Sequence, residues 1–156
     1  MALQAGQQAP DFNLRDSDKQ EVKLSDFKGK NVVILFFPLA FTGVCTAELC
    51  SLRDNMTAYN NLNAQVLAIS VDSLFTLDKF KKEQGYNFPL LSDFNKDVSA
   101  AYGSLYDDFV LGMKGVSKRS AFVIDKEGVV QYAEVLEDAG KLPDFDAVQR
   151  TLSQLN

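Results

Sequence analysis

The fold is decided by residues 31 to 50, NVVILFFPLAFTGVCTAELC. Residues 31 to 37 are an almost unbroken β-branched and aromatic run, which is typical of a strand buried on both faces of a mostly parallel sheet. Pro38 ends this strand. After a loop, apolar residues recur at helical spacing, at Cys45, Leu49, Leu52, Met56 and Tyr59. The segment therefore predicts a buried strand followed by an amphipathic helix that begins close to Cys45.

Strands and helices alternate on either side of this segment. The patterns predict a hairpin at 12–24, a buried strand at 65–71, a helix starting at 74–80, a short strand at 88–93, a helical segment to about Tyr102, a loop at 104–118, a hairpin around the turn at 126–128, and a closing helix through Phe145, Val148, Leu152 and Leu155. This order predicts one α/β domain over residues 1–156, with a central mixed β-sheet, helices on both faces and an N-terminal β-hairpin.

Composition narrows the class of protein. A chain of 156 residues has the length of one ordinary domain. The net charge of -5 argues against a nucleic-acid partner. The apolar run from 32 to 41 is far shorter than the roughly 20 residues that span a bilayer. Because the N-terminal residues MALQAGQQAPDF show no basic start and no apolar stretch, no secretory signal is visible, and we expect a cytoplasmic protein without a membrane partner.

The chain contains no histidine and only two cysteines. This excludes catalytic triads that depend on histidine, and it leaves no credible zinc site of the Cys and His kind. Two cysteines do not support a disulfide-stapled secreted scaffold. Any base or electrostatic helper must therefore be another residue type.

Cys45 lies where a helix is predicted to start. The first turn of a helix offers unpaired backbone N–H groups and about half a positive charge, and both stabilise an anion. A thiol there is expected to form its nucleophilic thiolate more readily than a free thiol. Cys45 also falls on the apolar face of the helix, so packing as a small hydrophobic residue remains an equal alternative at this point.

Further residues around Cys45 form a more specific motif. Pro38, Thr42 and Cys45 form the pattern P-x-x-x-T-x-x-C, with Glu48 three residues later. This pattern resembles that of the peroxiredoxins, and SDFKGKNVVILFF, LRDN, FPLLSD and KRSAFVIDKEG extend the resemblance over nearly the whole chain. The resemblance implies a thioredoxin-like fold and a two-electron reduction of hydrogen peroxide or organic hydroperoxides, with no metal, haem or flavin cofactor.

The resemblance also implies site residues. Cys45 would be the peroxidatic cysteine, Thr42 would hydrogen-bond the attacking sulfur and the peroxide, and Arg119 would be the arginine at the start of a late strand. Pro38 would shield the thiolate, and Glu48 would orient Arg119. A guanidinium suits its role because it is always charged and its forked N–H groups can hold a thiolate and the leaving oxygen.

Each of these residues also has a simpler explanation. Pro38 terminates a strand, and Glu48 would suit the macrodipole of a first helical turn. Thr42 would serve as an N-terminal capping residue. Arg119, next to Lys118, would fit a surface pair.

Cys50 bears on the step after the attack. The sulfenic acid formed on Cys45 can condense with a second thiol. The five-residue spacing resembles the Q-type or bacterioferritin-comigratory subgroup, which implies that Cys50 is the resolving cysteine. On an intact helix the two Cα atoms are roughly 9 Å apart, beyond disulfide reach, so the helix must unwind. The angle of Cys50 on the helix places it off the apolar face.

PLAFTGVC and GMKGVSKRSAFVID also resemble the one-cysteine AhpE-like subgroup, in which an external thiol resolves the sulfenic acid. Thioredoxin or a similar dithiol is the expected reductant. Q-type relatives are often monomers and AhpE-like ones dimers, so a monomer or a homodimer is expected.

Two other functions compete with a peroxidase. A thiol-disulfide oxidoreductase of the same fold would be expected to carry C-x-x-C, whereas this chain has C-x-x-x-x-C. A non-catalytic binding protein that merely retains the fold would be suggested by loss of Thr42 or Arg119, and both are present.

Overall fold

The computed structural model describes residues 3 to 156. Residues 1 and 2, which begin both the predicted domain and the N-terminal segment searched for a signal, lie outside the described residues. The strands are β1 (Asn13–Asp16), β2 (Glu21–Lys23), β3 (Asn31–Phe36), β4 (Ala64–Ser70), β5 (Leu90–Ser92), β6 (Ser120–Ile124) and β7 (Val130–Val135). The helices are α1 (Gly43–Asp54), α2 (Met56–Asn61), α3 (Leu74–Gln84), α4 (Asp97–Ala101) and α5 (Phe145–Gln154), with 3₁₀ turns at Leu24–Phe27 and Val110–Gly112.

The strands form one mixed sheet in the order β2-β1-β5-β4-β3-β6-β7. The central strands β3, β4 and β5 are parallel. Each edge is antiparallel: β1 pairs with β5 and β2 on one side, and β6 pairs with β3 and β7 on the other. The expected mixed sheet and N-terminal hairpin are confirmed.

Helices cover both faces of this sheet. Side chains from α1, α2, α3 and α5 pack with alternate residues of the strands into one core, which includes Val33, Leu35, Val66 and Val123. The other face packs against α4, the first 3₁₀ turn and the N-terminal segment, through Ile34, Phe36, Leu67 and Phe122. Because β3 is buried on both sides, its unbroken apolar run is explained.

The helix predicted through Cys45 and Tyr59 is interrupted. It consists of α1 and α2, separated by Asn55, whose backbone is not helical. The apolar spacing continues through the interruption because Leu52, Met56 and Tyr59 all reach the same core. The segment predicted as a loop at 104–118 is irregular, apart from the second 3₁₀ turn and one bridge between Leu105 and Ser117. None of the helices described between residues 3 and 156 has the length and apolar character needed to cross a membrane.

The topology brings two chain segments together at the carboxyl end of β3. β3 leads into the loop 37–42 and then into α1. β6 runs antiparallel to β3, with Ser120 opposite Phe36, so the residue before β6 lies beside the end of β3. That residue is Arg119. Strand pairing therefore places Arg119 next to the amino end of α1, which carries Cys45.

Candidate active site

Cys45 lies in the first turn of α1 and its side chain is fully buried. Thr42 occupies the N-cap position with an extended backbone, and the N–H of Thr46 bonds the carbonyl oxygen of Thr42 at 2.9 Å. The N–H groups that come before Thr46, including that of Cys45, therefore have no carbonyl acceptor within the helix. Cys45 therefore has both properties inferred from the sequence, because it packs in the core and lies at the positive end of a helix.

The guanidinium of Arg119 contacts Cys45 directly. Nη1 and Nη2 each lie 3.3 Å from Sγ, within hydrogen-bond distance for sulfur. Nη1 also donates to Oε1 of Glu48 at 2.9 Å. Nε and Nη2 donate to the carbonyl oxygen of Ala139 at 3.0 and 2.9 Å. Every N–H of the guanidinium is thus engaged, and two of them point at the sulfur.

The burial of Arg119 excludes the surface-pair alternative, since only 2% of the residue is exposed. Its neighbour Lys118 extends elsewhere, to Glu137 at 2.7 Å. A buried guanidinium needs compensating partners, and here these are one carboxylate, one carbonyl oxygen and one sulfur. The site thereby holds a fixed positive charge against the sulfur of Cys45.

Residues 136–140 help to hold Arg119 in position. The N–H of Leu136 bonds the carbonyl oxygen of Arg119 at 2.9 Å, which extends the antiparallel pairing by one residue, before the first residue of β6 and after the last residue of β7. The hydroxyl of Tyr106 donates to the carbonyl oxygen of Glu137 at 2.8 Å. These bonds fix the segment that carries the Ala139 carbonyl, and thus the plane of the guanidinium.

Glu48 is fully buried on α1, one turn beyond Cys45. Burial raises the pKa of its carboxyl to about 7, against the opposing effect of Arg119, whose charge and hydrogen bond lower it. The second oxygen, Oε2, has no hydrogen-bond partner among the residues that the structure describes. The macrodipole alternative is wrong for Glu48, because the residue lies beyond the first turn and is paired with Arg119.

Thr42 and Pro38 complete the predicted set. The hydroxyl of Thr42 is exposed and donates to the carbonyl oxygen of Leu39 at 2.7 Å, so the side chain does not cap the helix. A hydroxyl that donates one bond still has lone pairs that can accept others. Within residues 3–156 no hydrogen bond joins this hydroxyl to Cys45. Pro38 is buried directly after the strand segment.

Cys50 is half-buried and packs against the edge of the core formed by α1, α2, α3 and α5. It lies outside the fully buried stripe of α1, as expected from its angle on the helix, and it is partly covered because the end of α3 and the following residues close over it. Its Sγ lies 3.6 Å from Oε1 of Gln84 and 3.7 Å from the hydroxyl of Tyr86. Both cysteines are free thiols.

Sequence reasoning missed residues that hold the site in place. Asp72, after β4, accepts a bond from the N–H of Ala40 at 2.8 Å and from the hydroxyl of Ser70 at 2.7 Å. Asp72 thereby anchors the loop before α1, in which Phe41 has a left-handed backbone with φ of 67°. The signal for Asp72 was its place after a buried parallel strand, at the edge where sites form. Tyr106 and Ala139 carried no comparable signal.

The chain is similar to known proteins in sequence and in fold. The model of the AhpC/TSA family matches residues 5–133. The chain is similar to alkyl hydroperoxide reductase E of Mycobacterium tuberculosis, with 41% identity over 91% of each chain. Its fold is similar to that of peroxidoxin BcpB of the same organism, with a TM-score of 0.87, 29% identity and 99% of each chain covered. It is also similar to the bacterioferritin comigratory protein of Xanthomonas campestris, with a TM-score of 0.80, 28% identity and coverage of 92% of this chain and 90% of that one.

The sequence motif, the thioredoxin-like fold and the buried thiol beside a guanidinium lead to one family. Because the family model covers most of the sequence and a relative is 41% identical over nearly its whole length, the chain belongs to the AhpC/TSA family of peroxiredoxins and is a thiol peroxidase.

Proposed function

We propose that Cys45 is the peroxidatic cysteine, which attacks hydrogen peroxide or an organic hydroperoxide and becomes a sulfenic acid. The observation that supports this most directly is the pair of 3.3 Å contacts from Arg119 to Sγ. A thiolate is the reactive form of cysteine, and an adjacent guanidinium together with a helix start stabilises it. Cys50 has no such cation within its hydrogen-bond contacts, which are Gln84 and Tyr86.

In the proposed step, the Cys45 sulfur forms a bond to one peroxide oxygen while the O–O bond breaks. Negative charge moves from the sulfur to the leaving oxygen. Arg119 lies in contact with the sulfur where this transfer begins, so it can stabilise both ends of the transfer. The hydroxyl of Thr42, which donates to Leu39, keeps lone pairs that can accept the O–H of the hydroperoxide. Thr42 thus orients the substrate in this proposal.

Glu48 and Pro38 act indirectly. Glu48 orients Arg119 through the 2.9 Å bond to Nη1. Pro38, buried after β3, excludes water from the thiolate side of the site. The proposed peroxidase unit is the whole chain 1–156 as one domain, because the site draws on segments from Pro38 to Gly140.

We propose that Cys50 resolves the sulfenic acid by forming a disulfide with Cys45. This step requires α1 to unwind, since both cysteines lie on one continuous helix. The contacts that must break are those of Cys50 with Gln84 and Tyr86, together with the 3.4 Å bond from the Tyr86 hydroxyl to the carbonyl oxygen of Thr46. Thioredoxin or a similar dithiol would then restore the thiols.

The alternative is a one-cysteine cycle, in which an external thiol resolves Cys45. The half-buried position of Cys50 and the 41% identity with alkyl hydroperoxide reductase E favour this alternative. In both cycles the reductant is a thiol. A cytoplasmic protein, monomeric or homodimeric, fits both, since the cytoplasm supplies reduced thiols.

The test is treatment of the reduced protein with one equivalent of hydrogen peroxide, followed by intact mass, free-thiol count and peptide mapping. The variant Cys50→Ser is treated in parallel, and Cys45→Ser serves as the matched control. We expect the wild-type protein to lose two hydrogens and to yield a Cys45–Cys50 peptide, while Cys50→Ser yields a sulfenic acid on Cys45.

A sulfenic acid on Cys45 with Cys50 still a free thiol would support the one-cysteine cycle instead. Consumption of peroxide by Cys45→Ser at the wild-type rate would refute the assignment of the peroxidatic cysteine.

A further inference from the structure

The buried group formed by Cys45, Glu48 and Arg119 has an unusual balance of charges. One guanidinium faces two groups that become anions when they lose a proton. Cys45 and Glu48 are fully buried, and Arg119 is 2% exposed. If both acids were ionised, this group would carry a net negative charge away from water, which is costly.

The two acids do not contact Arg119 equally. Cys45 receives one bond from each Nη atom, whereas Glu48 receives one bond on Oε1 alone. Its Oε2 is buried without a partner in the part of the chain that the structure describes. It costs more to bury an oxygen of an ionised carboxylate without a hydrogen-bond partner than to bury the neutral group of a protonated carboxyl in the same position. Burial raises the pKa of Glu48 to about 7 even with Arg119 beside it.

We infer that Cys45 and Glu48 share one proton, so that Glu48 carries the proton when Cys45 is a thiolate. The exchange converts a thiol and a carboxylate into a thiolate and a carboxylic acid, and Arg119 then pairs chiefly with the sulfur. The group keeps one negative and one positive charge throughout. This inference rests on the proposed role of Cys45, and it gives Glu48 a role as a proton carrier in addition to orienting Arg119.

The shared proton completes the proton balance of the peroxide step. The thiolate attacks the hydroperoxide, which yields the sulfenic acid and an alkoxide or hydroxide. A sulfenic acid is neutral, so Arg119 is left with Glu48 as its counter-ion. Glu48 then ionises, and the proton that it releases balances the one that the alkoxide or hydroxide takes up. The thiolate, the carboxylic acid and the hydroperoxide thus become a sulfenic acid, a carboxylate and an alcohol or water.

Few other groups near Cys45 and Glu48 could take up the shared proton. Arg119, before β6, is the charged residue that contacts Glu48, and Cys45 is the titratable residue on the same helix that shares Arg119. Tyr86, after α3, lies near enough to Cys45 for the thiolate charge to raise its pKa, while burial is the main cause of that rise. The tyrosine therefore stays protonated and does not compete for the proton.

The test uses Cys50→Ser, so that Cys45 is the only thiol. The protein is alkylated with iodoacetamide in weak buffer, at a pH above the pKa of about 7 that burial and Arg119 together give the Glu48 carboxyl and at which ultraviolet absorbance shows that Cys45 is a thiolate. Alkylation of a thiolate itself releases no proton. We expect release of up to about one proton per Cys45, recorded with an indicator dye, because Glu48 ionises once the thiolate is gone. Infrared difference spectra of the same reaction should show loss of a protonated carboxyl band.

The variant Cys50→Ser/Glu48→Gln is the control, and it should alkylate without releasing a proton. Alkylation of Cys50→Ser without proton release and without loss of the carboxyl band would overturn the inference. The infrared measurement needs no further variant, so it decides the question even if Glu48→Gln folds poorly. Peroxide reduction by Cys50→Ser is recorded separately. Its absence would count against the role of Cys45 and not against the shared proton.

Discussion

The guanidinium of Arg119 contacts the Cys45 sulfur and neutralises the buried carboxylate of Glu48, and variants at position 119 test these two roles. Arg119→Met removes the bonds to Cys45, Glu48 and Ala139 and leaves the Glu48 carboxyl buried without a cation. Breaking a buried ion pair by removing one partner costs about 3–5 kcal/mol. Because a protonated Glu48 needs no cation, we expect this loss of unfolding free energy at about pH 8 and a smaller loss at about pH 5.

The double variant Arg119→Met/Glu48→Gln tests the cause. It removes the uncompensated acid, so we expect it to be more stable than Arg119→Met at about pH 8, by about 2 kcal/mol or more. Its peroxide reaction should stay slow. Loss of one donor aimed at developing charge typically costs about 10²–10³ in rate, and glutamine on α1 does not replace a donor at the sulfur.

The assays are urea denaturation at both pH values and stopped-flow peroxide consumption, each for wild type, Arg119→Met and the double variant. Recovery of the peroxide rate in the double variant would refute the role of Arg119 at the sulfur. Equal destabilisation of Arg119→Met at both pH values would refute the argument from the buried carboxylate.

Single side chains around the site give further predictions. The pKa of Glu48 is raised from 4.5 to about 7, so its contribution to stability is present below about pH 4.5 and is lost as the pH rises through about 7. Urea denaturation across this range should show a smaller fall for Glu48→Gln than for wild type. Tyr106→Phe loosens the segment that carries the Ala139 carbonyl, and we expect a several-fold slower peroxide reaction and a loss of about 1 kcal/mol. Tyr132→Phe, which removes a bond to the Glu134 side chain, is its control and should keep the wild-type rate. Thr42→Val should slow peroxide consumption about 10²-fold while Thr42→Ser keeps most of the rate, and equal rates for the two would remove the hydroxyl from the mechanism.

The sheet was predictable because its central strands are buried on both faces. The runs at 31–37 and 65–71 correspond to β3 and β4 within one residue at each end. The interruption at Asn55 was not predictable, since the apolar residues on both sides of it reach the same core and the spacing does not change. The antiparallel edge at β1 and β5 depends on strand pairing between distant segments, which local patterns do not specify.

The site was predictable only in part. Cys45 at a helix start follows from local spacing, but its contact with Arg119 depends on the pairing of β3 with β6, and the family resemblance supplied that link. The carbonyl oxygen of Ala139 is a backbone atom that any residue would provide, so no sequence pattern marks it. The unpartnered Oε2 of Glu48 likewise depends on packing around the helix.

Because all the N–H groups of Arg119 have acceptors, this residue adds little to the affinity for the peroxide substrate. Since every N–H of Arg119 already has an acceptor, a peroxide that reaches this residue exchanges one partner for another and adds no bond. The net gain from capturing the substrate there is small, whereas the charge that appears on the departing oxygen is strongly favoured. The rate of oxidation should therefore rise in proportion to peroxide concentration over a wide range, without a plateau from a tightly held encounter complex.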